Sequence, residues 1–85
     1  TKAMALELIA HNVRVVSIAP TFVETPLVKE FMQRPGFSQW VHERIPAGRV
    51  GSVEEVAGAV LFAASPAASL VTGTSLLVDG GWTAQ

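Results

Sequence analysis

The chain has 85 residues, of which 49% are hydrophobic and only 15% charged, with a formal net charge of −1. That length allows at most one domain, and the apolar fraction suits a packed core rather than a disordered tail. The charge balance carries no basic footprint for nucleic acid, and the lack of any cysteine removes disulfides, thiolate chemistry and zinc fingers.

An absence of cysteine is compatible with the cytoplasm, the location expected here. No run reaches the ~18 uncharged apolar residues of a membrane span. Glu7 and a single Lys2 argue against a signal peptide. The chain opens on Thr1, inside a helical pattern, so it is expected to be a piece of a longer protein.

Thr1 to Ala10, TKAMALELIA, consists of strong helix formers and is apolar nearly all round, which predicts a helix buried on more than one side. Asn12 suits a helix stop, and His11 suits the negative end of the dipole. Val13 to Ala19 follows almost at once. Its four β-branched residues, Val13, Val15, Val16 and Ile18, predict a strand covered on both faces. Pro20 is expected to end it, for want of a ladder donor. Thr21 to Pro26 reads as a loop, with Thr25 as N-cap and Pro26 in the first turn of a helix running to Gln33. Pro35-Gly36 breaks that helix, and Phe37 to Arg44 forms another.

Ile45 to Gly51, IPAGRVG, is a connector. Its Gly-Arg-Val-Gly follows no strand, so it reads as a turn rather than a phosphate loop. Ser52-Val53-Glu54-Glu55 is a capping-box pattern. Behind it Val53, Val56, Ala57, Val60, Leu61 and Ala64 fall on one helical face, until Ser65-Pro66. Ser75 to Val78 reads as a second buried strand, closed by the turn residues Asp79-Gly80-Gly81. Trp82, in the tail, is expected to dock on something, a neighbouring subunit being one candidate.

Chemistry-bearing constellations are few. His11 and His42 are far apart, with no cysteine and no paired histidines, so no metal site is expected. Glu54 and Glu55 belong to a helix start, and Glu24 stands alone in its loop. What remains is the junction of the first strand with the loop after it, the position where open α/β sheets place ligands. The backbone of Thr21 to Val23, the Thr25 hydroxyl and the free N–H groups after Pro26 offer partners for an amide, phosphate or carboxamide. The alternative is an ordinary loop with a plain cap. Phe31, Phe37 and Trp40 either line a substrate cleft or pack their segment down.

Taken together, TKAMALEL, the strand from Val13 to Pro20, IPAGRVGSVEEVA and VTGTSLLVDGG resemble, in order and spacing, the C-terminal part of the short-chain dehydrogenases/reductases, over essentially all 85 residues. The resemblance implies an α/β fold, the C-terminal part of a doubly wound parallel-sheet (Rossmann-type) domain. Residues 1–85 would supply its strands six and seven, their helices and the substrate lid. It implies an oxidoreductase that uses NAD or NADP on a small alcohol or carbonyl substrate. Pro20 and Thr21 would lie against the nicotinamide ring, while Val23 and Thr25 would hold its carboxamide. Leu27, Phe31, Phe37 and Trp40 would form the lid, and a homo-oligomer, a tetramer by preference, would form through the helix from Val53 and the strand from Ser75.

Two positions depart from the family pattern: Thr21 stands where a glycine is usual, and Val16 where an asparagine is. The chain holds no tyrosine, and Lys2 matches a later helix lysine, so no catalytic residue is expected within it. The competing reading is a Rossmann-type module kept for assembly alone, with no catalysis. The Tyr-x-x-x-Lys motif upstream separates the two.

Overall fold

The computed structural model describes residues 1–85 and is organised around two parallel strands. Helix α1 (Lys2–Leu8) tightens into a 3-10 turn over Ile9–His11. Asn12 then stops it in the left-handed region, with φ 59°, a conformation asparagine tolerates better than most residues. Strand β1 (Val16–Pro20) follows. Helices α2 (Pro26–Met32), α3 (Phe37–Arg44) and α4 (Val53–Ala64) form the crossover to strand β2 (Thr74–Val78). A 3-10 turn, Trp82–Ala84, ends the chain.

The register runs from Val16↔Thr74 to Pro20↔Val78. The observed strand therefore starts three residues later than the β-branched run and includes Pro20. In a two-stranded sheet each strand uses only half of its N–H groups, so a proline at the last position costs no ladder bond. Val13 to Val15 lie outside the ladder because β2 begins only after the turn at Gly73. Val15 is held there instead, donating its N–H to Thr72 Oγ1 at 3.0 Å and accepting from Gly73 N at 2.8 Å. Arg14 ties the same corner to α4, with its Nη1 on the carbonyls of Ala63 at 2.8 Å and Val71 at 3.2 Å.

Five residues are buried: Ala5, Val41, Ile45, Ala68 and Asp79. The radius of gyration is 15.7 Å, against about 12 Å for a compact domain of this length. The accessible surface is 6025 Å², against about 4,900 Å² for a compact monomer of this mass. This chain therefore does not bury its own apolar faces. Helix α1, expected to be covered on several sides, buries only Ala5, which packs on the turn at Gly73, and leaves Leu6 78% exposed. Neither strand is enclosed: β1 is half-buried up to the exposed Pro20, and β2 leaves Thr74, Ser75 and Leu77 exposed.

Helix α4 faces inward differently from the expected stripe. Val56, Ala59 and Ala63 are half-buried, while Val53, Ala57 and Leu61 point outward. Beyond Glu54 and Glu55 in the first turn its residues are apolar or small on every side, so periodicity alone has no continuous polar face against which to orient it. No helix is long and apolar enough to cross a membrane.

Candidate functional site

The carboxyl ends of β1 and β2 lie side by side, and the loop after β1 leaves from there. Thr21 takes no positive φ, so the turn does not need the glycine that the family pattern has. Beyond it the chain stays extended and forms a parallel bridge, Val23↔Gly51. Gly51 N donates to Phe22 O at 2.8 Å, and Glu24 N donates to Gly51 O at 2.7 Å. The bridge thus consumes the groups on either side of Val23. Val23's own N–H and C=O point to the other edge and pair with no backbone group.

Thr25 caps α2, its Oγ1 accepting from Val28 N at 3.3 Å. That leaves its hydroxyl proton and one lone pair for a further partner. The helix start offers less than the sequence suggested: Pro26 has no N–H, Val28 is capped, and Lys29 N bonds Thr25 O at 2.8 Å. Only the Leu27 amide remains. Glu24 is paired with Lys29 at 3.6 Å across the exposed surface.

The connector from Ile45 to Gly51 faces this loop. Its far end is fixed by one carboxylate. Glu55 accepts from Ser52 N at 2.9 Å, while Ser52 Oγ accepts from Glu55 N at 3.1 Å, completing the capping box. The same carboxylate takes both Arg49 Nη atoms, at 2.7 and 2.8 Å. The Arg49 hydrogen bonds, then the Ser52 amide, lower the Glu55 pKa to about 2.

The connector's near end is packed under the Asp79-Gly80-Gly81 turn, where Ala47 N donates to Gly80 O at 2.9 Å. Asp79 is occupied with its own turn, accepting from Thr83 Oγ1 at 2.7 Å, Thr83 N at 3.1 Å and Gly81 N at 3.0 Å. Those bonds, the Thr83 hydroxyl first, hold its pKa below the usual carboxylate value. A cleft of about 230 Å³ runs between Thr21, Arg49, Gly51, Glu55 and Asp79 at the strand ends.

On the other side of the loop, Phe22 enters an aromatic cluster. Its ring meets Phe37 and Trp40 edge-on, each at 5.9 Å. Phe31 lies 5.7 Å from Phe37, and Trp82 lies 5.7 Å from Trp40. Such pairs contribute ~0.5–1.5 kcal/mol each beyond area burial. An open cleft of about 440 Å³ is lined by Phe22, Phe31, Arg34, Phe37 and Trp40, and Arg34 covers the Phe31 ring at 4.4 Å.

Of the expected lid residues, Phe31, Phe37 and Trp40 come together. Leu27 does not join them; it is 62% exposed, on the first turn of α2. Trp82 docks within its own chain, against Phe22 and Trp40. Of the expected cofactor positions, Pro20, Thr21, Val23 and Thr25 follow one another along the strand end and loop. Sequence reasoning missed Phe22, Gly51 and the Arg49–Glu55 pair. The single available signal was Arg49 six residues before the N3 glutamate, a spacing with no general meaning. His42 is solvent-exposed, as expected, with Nδ1 3.2 Å from Gly48 O.

Comparison with known proteins adds an independent line. The family model described as enoyl-(acyl carrier protein) reductase matches residues 1–83. A short-chain dehydrogenase of Pyricularia oryzae is 44% identical over 84 residues, covering 98% of this chain and 30% of its own. A galactitol 2-dehydrogenase (L-tagatose-forming) of Cereibacter sphaeroides is 46% identical over 84 residues, covering 98% of this chain and 33% of its own. Among solved structures, a gluconate 5-dehydrogenase from Burkholderia cenocepacia, in complex with NADP and tartrate, superposes with a TM-score of 0.90 at 39% identity, over 100% of this chain and 33% of that one. The chain thus spans about a third of the length of the relatives it matches.

Proposed function

This chain belongs to the short-chain dehydrogenase/reductase family, whose sheet is of the doubly wound Rossmann type, and on that premise we propose that residues 1–85 are the C-terminal portion of one NAD(P)-binding domain in a cytoplasmic oxidoreductase. The parent protein would interconvert a small alcohol and its carbonyl. The observation that carries this reading is the Val23 backbone. A carboxamide carries one acceptor oxygen and an NH₂ donor, and Val23 presents an unpaired N–H and an unpaired C=O on the edge away from Gly51. The free donor of Thr25 adds a third partner. Pro20 and Thr21 supply the wall at the strand end.

NAD or NADP, when bound, would supply or accept the hydride. This chain's residues orient the nicotinamide and exclude water; the proton is handled elsewhere, since the chain has no tyrosine and its two best-placed carboxylates, Glu55 and Asp79, are committed to structural hydrogen bonds.

The aromatic segment from α2 to α3 is the proposed lid. Phe31, Phe37 and Trp40 form it, with Phe22 connecting it to the cofactor loop. Leu27 belongs to it only if the helix turns inward over substrate. The outward row of α4, Val53, Ala57 and Leu61, with the half-exposed Leu77 of β2, is the proposed subunit surface. The experiment is turnover by the full-length protein with NADH and NADPH against a panel of sugar-derived and simple ketones. Pyridine-nucleotide-dependent reduction of any of them supports the reading. Absence of dinucleotide binding would instead favour the assembly-module reading.

A further inference from the structure

Exposed ion pairs stabilise a fold by only ~0–1 kcal/mol, so the bidentate contact between Arg49 and Glu55 calls for an account other than stability. Both side chains are well exposed, Arg49 at 61% and Glu55 at 44%. The helix start does not require Arg49, because Ser52 and Glu55 complete the capping box by themselves. What the pair determines is the path of residues 49–52. One carboxylate holds the Arg49 guanidinium by both nitrogens and the Ser52 amide. Arg49 Nη1 also donates to Val50 O at 3.2 Å. Gly51 sits inside this closed loop of contacts, and Gly51 is the residue that grips Phe22 O and Glu24 N.

We propose that Arg49 and Glu55 are positioning residues for the nicotinamide end of the cofactor. Their contact holds Gly51 in the bridge, and the bridge turns the Val23 N–H and C=O toward the ligand edge. The inference rests on the reading that Val23 and Thr25 receive the carboxamide. Its mechanism is pre-organisation: a backbone donor and acceptor already aimed bind a ligand without first losing conformational freedom. The capping box secures α4 whether or not Arg49 is present. Removing Arg49 therefore loosens the Gly51 turn while leaving the helix start in place.

The test uses the full-length protein and two ligands: whichever of NADH or NADPH it binds, and the matching ADP-ribose compound that lacks nicotinamide. Arg49→Met and Glu55→Gln are each expected to weaken the nicotinamide-bearing ligand about five- to tenfold, the loss of roughly one hydrogen bond. The nicotinamide-free ligand should stay within about twofold, because it never reaches Val23. Arg49→Lys keeps the charge without the fork and should fall between. Glu54→Gln, on the same turn without a hydrogen-bond partner, should match the parent.

Equal weakening of both ligands, or of neither, overturns the positioning role. If the first two variants fail to fold, Arg49→Lys decides by the same two-ligand comparison. Val23→Pro, which removes the N–H donor and keeps the carbonyl, separates the carboxamide contact from the positioning role. Loss of nicotinamide binding in Val23→Pro alone rejects the role of Arg49 and Glu55 and keeps the carboxamide reading. No loss in Val23→Pro rejects both.

Discussion

Replacing Gly80 by alanine should cost the full-length protein about 2–5 kcal/mol, and the structure separates that cost into two parts. The first is backbone strain. Gly80 has φ +62°, a conformation that costs an L-residue ~1–2 kcal/mol. The second is contact. A Cβ built there lies 2.7 Å from Ile45 Cγ2 and 3.1 Å from Ala47 Cβ. Ile45 is 1% exposed, so its side chain has no solvent to swing into, and overpacking of this kind costs ~1–3 kcal/mol.

Gly36 isolates the first part, because its φ is +82° and a Cβ there meets nothing within 4 Å. Urea unfolding of Gly80→Ala and Gly36→Ala, followed by far-UV circular dichroism, should give a loss of about 1–2 kcal/mol for Gly36→Ala and a clearly larger one for Gly80→Ala. The difference measures how tightly the Asp79-Gly80-Gly81 turn presses on the connector that carries Arg49 and Gly51. If Gly80→Ala costs no more than Gly36→Ala, that packing is wrong, and with it the support assigned to the cofactor loop.

Thr25→Ala should lose the cap, worth about 1 kcal/mol, and raise the KM for the dinucleotide several-fold, whereas Thr25→Ser should retain both; unchanged kinetics toward both substrate and cofactor would remove Thr25 from the site. The Glu55 carboxyl should titrate near 2 rather than at the ordinary 4.5. A folded-state pKa below the unfolded one means that its stabilising contribution is complete above about 4.5 and is lost as pH falls toward and through 2; a carboxyl-carbon NMR titration with a midpoint near 4.5 would contradict the Arg49 contact. The proposed subunit surface on α4 and β2 carries the expectation that the full-length protein is a homo-oligomer. Light scattering that reports a monomer at micromolar concentration would refute it.

Much of this arrangement was legible in the residues. Pro26 after Thr25, and Ser52 three residues before Glu55, mark two helix starts by local hydrogen bonding alone, and both caps form. Gly36 and Gly80 mark turns by the backbone freedom those turns use. What was not legible depends on partners distant in sequence. The start of β1 is set by Gly73 and Thr72, more than fifty residues away, so the β-branched run alone overstates it. The inward face of α4 is set by its packing on β1 and β2, which precede and follow it in the chain. The exposure of α1 follows from how little of this chain packs against it.

The site shows the same division. Thr25 is a local signal, and the run from Pro20 to Val23 lies where a strand ends. The role proposed for Val23, however, depends on Gly51, which pairs with it from across the fold. No property of valine announces an outward-facing amide. The aromatic cluster was half-visible: Phe31, Phe37 and Trp40 stand close together in sequence, but Phe22 and Trp82 reach it from other segments.

The most direct test is a crystal structure of the full-length protein with NADH or NADPH bound. The account predicts the nicotinamide carboxamide within hydrogen-bonding distance, about 3 Å, of both the Val23 N–H and C=O, with the Thr25 hydroxyl alongside and the Val23↔Gly51 bridge intact. A nicotinamide held by other residues, with Val23 facing solvent or protein, would contradict it.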